Sequence, residues 1–431
     1  MERVTVIGAG LAGCEAAHRL AGRGIPVLLC EMKPVKYSPA HKIPGFAELV
    51  CSNSLKASRI ETAAGLLKEE MRRLGSLTME AAAECSVPAG GALAVDRAEF
   101  SRLITERIGN EPLIEVRRGE IAQLPETGIC VVATGPLTSD ALADSLRARF
   151  GGTLSFYDAV APIVSADSLD EKKIFLAARW GHGDPDYINC PMDRAEYESF
   201  LDALLSAEKA PLHDFDDFSV YEGCMPVEVM AARGRDALRY GPMRPVGLTD
   251  PRTGHRPWAN VQLRRENAAG SMYNIVGFQT NLRFGEQKRV FSLIPGLEHA
   301  DFLRYGVMHR DTFIDSPRLL GADMALRDEP RLLFAGQLTG VEGYIESAAT
   351  GILAGENAAR RAEGREPLIL PPKTMLGALT RYISDPAVTD FQPMGSNMGL
   401  LPPLPDHIRL KQERYAALAA RSLARLAEAG F

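Results

Sequence analysis

The sequence predicts an α/β fold: a Rossmann-like domain interrupted by an inserted α+β domain. Three observations predict it. A β-branched strand, Val4-Thr5-Val6-Ile7, runs directly into Gly8-Ala9-Gly10-Leu11-Ala12-Gly13. A second apolar run, Ile129-Cys130-Val131-Val132, ends in Ala133-Thr134-Gly135. A third, Arg331-Leu332-Leu333-Phe334-Ala335-Gly336-Gln337, comes far later and is followed by Gly340, Gly343 and a helix predicted over 347–359.

The first run is the most informative. An alanine-rich helix is predicted from about 14 to 21, closed by Gly22 and Gly24. A second strand follows over 25–30, with Glu31 at its end. Strand, glycine motif, helix, second strand and terminal acid agree on a dinucleotide-binding βαβ unit. Gly8 permits the tight turn, Gly10 lets a pyrophosphate approach the backbone, and Gly13 lets the helix pack close to the strand. Ala9, Leu11 and Ala12 complete the cradle, and the helix N-terminus offers unpaired N–H groups to phosphate. Glu31 is placed to accept hydrogen bonds from ribose hydroxyls.

The two later strands decide which dinucleotide. A simple dehydrogenase domain has no need of a late return to its sheet. Ala133-Thr134-Gly135 and the segment from Gly336 to Gly343 resemble the second and the C-terminal motifs of flavoprotein Rossmann domains. The expected cofactor is therefore FAD, and the expected fold is glutathione-reductase-like. The FAD-binding domain is expected over 1–150 and again over 294–431, with the insertion over 151–293 and a C-terminal helix over about 405–429.

The 431 residues suffice for two or three domains. Hydrophobic residues at 46% and charged residues at 24% fit a soluble globular protein. No apolar run reaches the roughly eighteen residues of a membrane-spanning helix, and no secretory leader is apparent, so a cytoplasmic location is expected. The net charge of −6 argues against indiscriminate nucleic-acid binding but leaves room for a local basic face. The seven cysteines are odd in number and form no Cys-x-x-Cys pair, which disfavours a disulfide framework or a zinc ribbon. The histidines show no ligand spacing, and no metal is expected. Cys14, Cys30 and Cys130 sit in apolar elements and read as small core residues.

Within the insertion, strands are expected near 163–164 and 173–176 and a helix over 193–208. Eight arginines crowd residues 233–265 against Asp236 and Asp250, with no lysine. A guanidinium fork bonds phosphate bidentately; a solvated face or internal ion pairs would use the same residues. Trp258 and Tyr240 stand among them, suited to stacking on bases or to packing.

Four segments carry a resemblance. Gly8-Ala9-Gly10-Leu11-Ala12-Gly13-Cys14-Glu15-Ala16-Ala17 is the generic one. Leu49-Val50-Cys51-Ser52-Asn53-Ser54-Leu55-Lys56, Tyr221-Glu222-Gly223-Cys224-Met225-Pro226 and Gly340-Val341-Glu342-Gly343-Tyr344-Ile345-Glu346-Ser347-Ala348 are more specific. Together they resemble the TrmFO family, the folate- and FAD-dependent tRNA (uracil-5-)-methyltransferases, over nearly the whole chain. The related MnmG family shares the glycine motif and the following Cys-Glu-Ala-Ala, but its chains are longer and carry an extra C-terminal helical domain.

The resemblance implies methylation of uridine C5 in the tRNA T-loop. The carbon would come from 5,10-methylenetetrahydrofolate, NADPH or NADH would reduce the flavin, and the flavin would carry the methylene group. The partner would be the T-arm of tRNA, and the protein a monomer or weak oligomer. Uracil C5 is a poor nucleophile. A thiolate adding at C6 makes C5 an enolate carbon, and a base must then remove the C5 proton. Cys224 is the first choice for that thiolate, because Gly223 and Pro226 suggest an exposed turn and Arg233 and Arg235 follow closely. Cys51 is the second catalytic residue, as base or as shield of the flavin adduct, and the two roles are interchangeable on the sequence. Ser52, Asn53 and Ser54 form a polar loop expected to line the cofactor. Tyr344 is expected to stack near the flavin ring or to pack in the core, and Asn281 and Arg283 to help hold folate. The same motifs would serve methylation of large-subunit ribosomal RNA. A flavin oxidoreductase or folate-binding flavoprotein without RNA activity is the alternative from a different class.

Overall fold

The computed structural model describes residues 2–151, 154–181, 184–211, 225–389 and 391–431. The chain opens as expected, with strand β1 (Val4–Ile7), helix α1 (Leu11–Gly22) and strand β2 (Val27–Glu31). α1 starts three residues earlier than its composition predicts. Gly10 is its N-cap, so the glycine motif itself supplies the first helical turn; tertiary packing overrides the weak helix propensity of Gly13. Every residue of β2 is buried, as in a parallel strand covered on both faces.

Strands β3 (Ser54–Ala57), β4 (Ser86–Val87) and β5 (Ala92–Val95) form a small antiparallel sheet around helices α2 (Ala63–Arg73) and α3 (Leu77–Glu84). Helix α4 (Arg97–Gly109) is capped by Asp96, whose carboxylate accepts the N–H groups of Ala98 and Glu99. Strands β6 (Ile114–Arg118) and β7 (Cys130–Val132) and helix α5 (Asp140–Phe150) follow.

The middle of the chain builds a second body. It contains β8 (Leu154–Ala159), β9 (Ile163–Ser165), β10 (Phe175–Leu176), β11 (Tyr187–Met192), α6 (Arg194–Leu205), α7 (Val227–Ala232), α8 (Ala237–Tyr240), β12 (Ala259–Arg265), β13 (Met272–Ile275), α9 (Phe284–Phe291) and β14 (Phe302–Arg304). α6 begins where Asp193 and Glu196 form a reciprocal capping box. Six strands form an antiparallel sheet in the order β10-β11-β12-β13-β9-β14. Val261, Leu263 and Ile275 from the sheet pack with Phe200, Phe278 and Phe291 in its core. The edge strand β14 lies beyond residue 293, so the inserted sheet draws on chain past the expected boundary.

β15 (Met308–Phe313) then pairs antiparallel with β8. Helix α10 (Ser316–Leu319), strand β16 (Leu332–Phe334) and helices α11 (Tyr344–Ala362), α12 (Met375–Ile383) and α13 (Lys411–Glu428) complete the chain. The parallel sheet has the order β16-β7-β1-β2-β6, so the late strand returns beside β7. Helix α11 packs on α1 through small residues: a Cβ on Gly351 would overlap the Ala12 backbone, and one on Gly355 would sit 2.7 Å from Ala16 Cα. α13 buries Leu418, Ala419, Ser422 and Leu426 and starts later than expected, after a proline-containing segment. Among the described residues, no helix is long and apolar enough to cross a membrane.

Candidate active site

The C-terminal ends of β1, β2, β7 and β16 open on one cleft, the place where open α/β sheets hold their ligands. It is lined by residues 7–12, 30–33, 119–121 and 133–139, with Gly336, Gln337, Tyr344 and Ser347 from the returning segment. His41, Ala47, Glu48 and Val50 close one side. About 1040 Å³ lies between these walls, part of it open to solvent.

The three glycines differ in what surrounds them. Gly8 has φ +98°, and a Cβ there would sit 2.6 Å from the Ala133 carbonyl oxygen. A Cβ on Gly13 would overlap the Gly8 carbonyl. Gly13 is therefore the contact between helix and strand and does not line the cleft. At Gly10 an added Cβ would meet nothing within 4 Å, because that direction is the cleft itself. Neither α1 nor α11 has a side-chain cap at its N-terminus. Leu11 and Ala12 of the one, and Tyr344 and Ser347 of the other, line the cleft. Two helix N-termini with unpaired N–H groups thus face one cavity, an arrangement that favours an anion such as a diphosphate. Glu31 is buried; its carboxylate accepts the N–H groups of Ala9 at 2.8 Å and Lys33 at 2.9 Å. Each oxygen keeps a further acceptor site for a hydroxyl. Ala133, Thr134, Gly135 and Gly336 line the cleft as well.

The cysteine loop abuts this cleft. Val50 lines it, and Cys51, half-buried, follows. The Tyr344 phenol oxygen accepts the Cys51 N–H at 2.7 Å and the Ser52 N–H at 3.2 Å. The Cys51 thiol lies 3.9 Å from the Ala159 carbonyl oxygen, at the end of β8. Arg264 reaches the loop from β12, donating to Ser52 Oγ at 2.7 Å and Asn53 Oδ1 at 3.0 Å. The Asn53 amide donates in turn to the carbonyls of Val95 and Arg265. Asn53 is fully buried, the Ser54 N–H donates to Ser52 Oγ and its own Oγ accepts the Lys56 N–H, and none of Ser52, Asn53 and Ser54 lines the cofactor cleft. The polar loop is a joint between the two bodies, since hydrogen bonding to Arg264 satisfies groups that would otherwise be buried unpaired.

Protonation follows the surroundings. Burial, and then the nearby Lys33 and Arg304 charges, pushes His41 down to about 3; its Nδ1 lies 2.6 Å from Ser38 Oγ. The cleft-lining imidazole is therefore neutral at physiological pH. Burial, and then Cys51, push the Tyr344 phenol above its ordinary value, so it keeps its proton. Burial drives the Cys130 thiol up to about 12 and raises Cys14 and Cys30 as well, which leaves these three as inert core thiols. Arg304 is half-buried with its Nη2 unpaired among the described residues; burial, and then Arg97, lower its pKa.

Other expected site residues fall elsewhere. Cys224, with Tyr221, Glu222 and Gly223, lies outside the described residues. Gly343, at φ +117°, packs against Lys56 and Glu346 and does not line the cleft. Asn281 is buried, donating to the Ala210 carbonyl and bound through its N–H to Glu228, and exposed Arg283 pairs with Glu208. Neither is a cleft residue. Exposed Arg235 pairs with Asp202, and Arg233 is exposed. The arginine run is not one face. Arg264 is buried in the joint, Arg252 is held by Asp250, and Arg239 stacks 3.7 Å from the Trp258 ring centroid. Trp258 is thus a packing residue. His41 and Arg304 carried no motif, and Val50, Gln337 and Arg264 stood in notable segments without being singled out, because only the fold brings them to the cleft or its margin. Among the described residues, no group of three or more His, Cys, Asp or Glu side chains could hold a metal ion.

The family model for glucose inhibited division protein A (GIDA) matches residues 3–366. A Geobacter sulfurreducens protein named methylenetetrahydrofolate--tRNA-(uracil-5-)-methyltransferase TrmFO is 58% identical over 424 residues, covering 98% of each chain. A protein of the same name from Geotalea uraniireducens is 59% identical over 427 residues, covering 99% of this chain and 98% of its own. Among solved structures, Aquifex aeolicus GidA superposes with a TM-score of 0.71 at 17% identity, over 99% of this chain and 74% of that one; this likeness is one of fold. At 58–59% identity over nearly the full length of both chains, the chain belongs to the TrmFO family, within the wider group described as glucose inhibited division protein A.

Proposed function

We propose that this protein methylates C5 of a uridine in the T-arm of tRNA, taking the carbon from 5,10-methylenetetrahydrofolate and using FAD held in the cleft. The observation that carries the reading is the Cys51 loop, fastened by Tyr344 to the mouth of a dinucleotide cleft. The residues present fit FAD. The open side of Gly10 and the N-termini of α1 and α11 suit the diphosphate, Glu31 suits the ribose, and Val50 and Tyr344 would flank the ring system. Bound FAD, recharged by NADPH or NADH, supplies the electrons that take a methylene carbon to the methyl level.

The rest of the chemistry belongs to the chain. One thiolate adds to uracil C6 and makes C5 nucleophilic toward the methylene carbon; the other, itself a thiolate, takes the C5 proton once the C5–carbon bond has formed, and the C6–S bond then breaks to release the first thiolate. We assign the addition to Cys224 and the proton to Cys51. Tyr344 and Arg264 hold the Cys51 loop through its backbone and its neighbours. We assign the FAD-binding part to 1–150 and to the segment from 294 onward, with 151–293 as the inserted body apart from its last edge strand.

The test is transfer of label from the folate methylene to RNA. Purified protein with labelled methylenetetrahydrofolate and NADPH should convert a T-arm minihelix uridine to 5-methyluridine. A parallel incubation with large-subunit ribosomal RNA distinguishes the two RNA substrates. Absence of label in the tRNA minihelix sinks the proposal. Cys224→Ala should abolish turnover and leave the flavin spectrum unchanged; full activity in that variant removes Cys224 from the chemistry.

A further inference from the structure

The sheet face that reaches the cysteine loop carries a second cluster of side chains. Side chains of a strand alternate between faces. Asn260, Gln262 and Arg264 therefore share one face of β12, while Val261 and Leu263 enter the core. Gln262 Oε1 accepts from Arg179 Nε at 3.0 Å, and the Val246 carbonyl accepts from Arg179 Nη1 at 2.8 Å. The next residue, Trp180, has φ 56°, a left-handed conformation that strains a large aromatic residue. Its N–H donates to the Gly247 carbonyl at 2.7 Å. Its indole lies over Gly247 so closely that a Cβ there would sit 2.7 Å from the ring. Despite this anchoring, Trp180 is 57% exposed. Core packing does not explain a strained backbone that holds an indole in solvent.

Beside Trp180 runs a groove lined by Arg239, Tyr240, Arg244, Pro245, Val246 and Arg256. The Arg244 guanidinium is 5.9 Å from the Trp180 ring centroid, and Tyr240 is 85% exposed. Arg244 and Arg256 are exposed and make no ion pair among the described residues. Arg239 is the fixed wall, held by Asp236 and stacked on Trp258. Two uncompensated guanidinium groups next to two exposed rings complement alternating phosphates and bases. Gln262 and Arg264 are two residues apart, about 7 Å along a strand. The groove's anchor and the cysteine loop's anchor thus stand side by side on one sheet face.

We propose that this groove is the docking site for the RNA flanking the target uridine. Trp180 and Tyr240 are its stacking platforms, and Arg244 and Arg256 its phosphate contacts. The inference rests on the RNA-methyltransferase reading and says where on the protein the RNA lies.

The experiment compares wild type with Arg244→Ala/Arg256→Ala, Trp180→Gly and Trp180→Phe. Glycine removes the platform and relieves the backbone strain; phenylalanine restores a ring. Each protein is assayed for KM and kcat with tRNA transcript and for RNA affinity across a salt series. The flavin spectrum and NADPH-dependent flavin reduction without RNA are recorded alongside. The double arginine variant should raise KM for RNA by about tenfold with kcat near wild type, and its log affinity against log salt should be shallower by about two. Trp180→Gly should weaken binding with an unchanged salt slope, and Trp180→Phe should recover most of it. Flavin reduction should be the same in all four. Wild-type KM and wild-type salt slope in both disruptive variants overturn the groove. If wild type itself neither binds nor methylates RNA, the enzymatic reading falls instead.

Discussion

The backbone N–H of Cys51 donates to the phenol oxygen of Tyr344 at 2.7 Å, across 293 positions of sequence. The first residue of α11 thereby holds the cysteine loop beside the cleft that α11 helps to form. The same oxygen takes the Ser52 N–H at 3.2 Å, so one atom satisfies two backbone donors. Tyr344→Phe leaves both unsatisfied. The expected result is a kcat lower by about tenfold or more, since loosening a reacting group by about 1 Å has effects of up to about a hundredfold. Stability should fall by roughly 1–3 kcal/mol. Stopped-flow and steady-state kinetics check this; an unaltered kcat would mean that Cys51 is positioned by something else.

Gly10 and Gly13 stand three residues apart and should fail differently. Gly13→Ala places a methyl group into the Gly8 carbonyl, so α1 must shift from β1. We expect loss of soluble protein or a stability loss of about 1–3 kcal/mol, the range of overpacking. Gly10→Ala meets only the open cleft, so the apoprotein should melt near the wild-type temperature and bind flavin at least tenfold more weakly. Flavin titration followed by thermal melting separates the two, and equal behaviour in both assays contradicts the assignment.

Arg264 is buried and ties β12 to Ser52 and Asn53. Arg264→Met keeps most of the volume and removes the charged donors. Asn53 Oδ1 and Ser52 Oγ then lose a partner, at a cost of roughly 2–3 kcal/mol. A lower urea midpoint together with reduced kcat is expected. Reduced stability with full activity would show that the joint does not position the loop.

His41 supplies a pH dependence. Its folded value is pushed down to about 3, below the ordinary 6.5, because burial and two neighbouring cations disfavour the imidazolium. Between those values the unfolded chain binds a proton that the native protein does not. Stability therefore falls as the pH drops through 6.5 toward 3, by up to about 2 kcal/mol at pH 5 from this group. His41→Gln should flatten that part of the profile. Urea unfolding of both proteins at pH 7 and pH 5 measures the difference, and parallel profiles would discount His41.

The elements that carry a local period or a local turn requirement were legible in the sequence. β1, the glycine cradle, Glu31, β7, β16 and the approximate course of α6 and α13 follow from residue type and spacing. Helix starts were read late at α1 and α11, because glycines that look like helix breakers serve as N-caps and close-packing residues. The eight arginines illustrate the opposite limit. Their number invites one reading, but Arg264 faces a buried joint, Arg239 a tryptophan ring and Arg244 the solvent. Which of these each does depends on strand face and on neighbours from distant parts of the chain.

By itself, then, the sequence determined the parallel-sheet scaffold and the dinucleotide cradle, and the resemblance singled out the two cysteines. Each depends on backbone freedom or reactivity that a residue type carries with it. Only the tertiary structure decided that Tyr344 holds Cys51, that Arg264 holds Ser52 and Asn53, and that Gly13 is a packing contact and Gly10 the open one. These relationships join segments far apart in the chain, and no local period or spacing records which distant partner a buried donor will find.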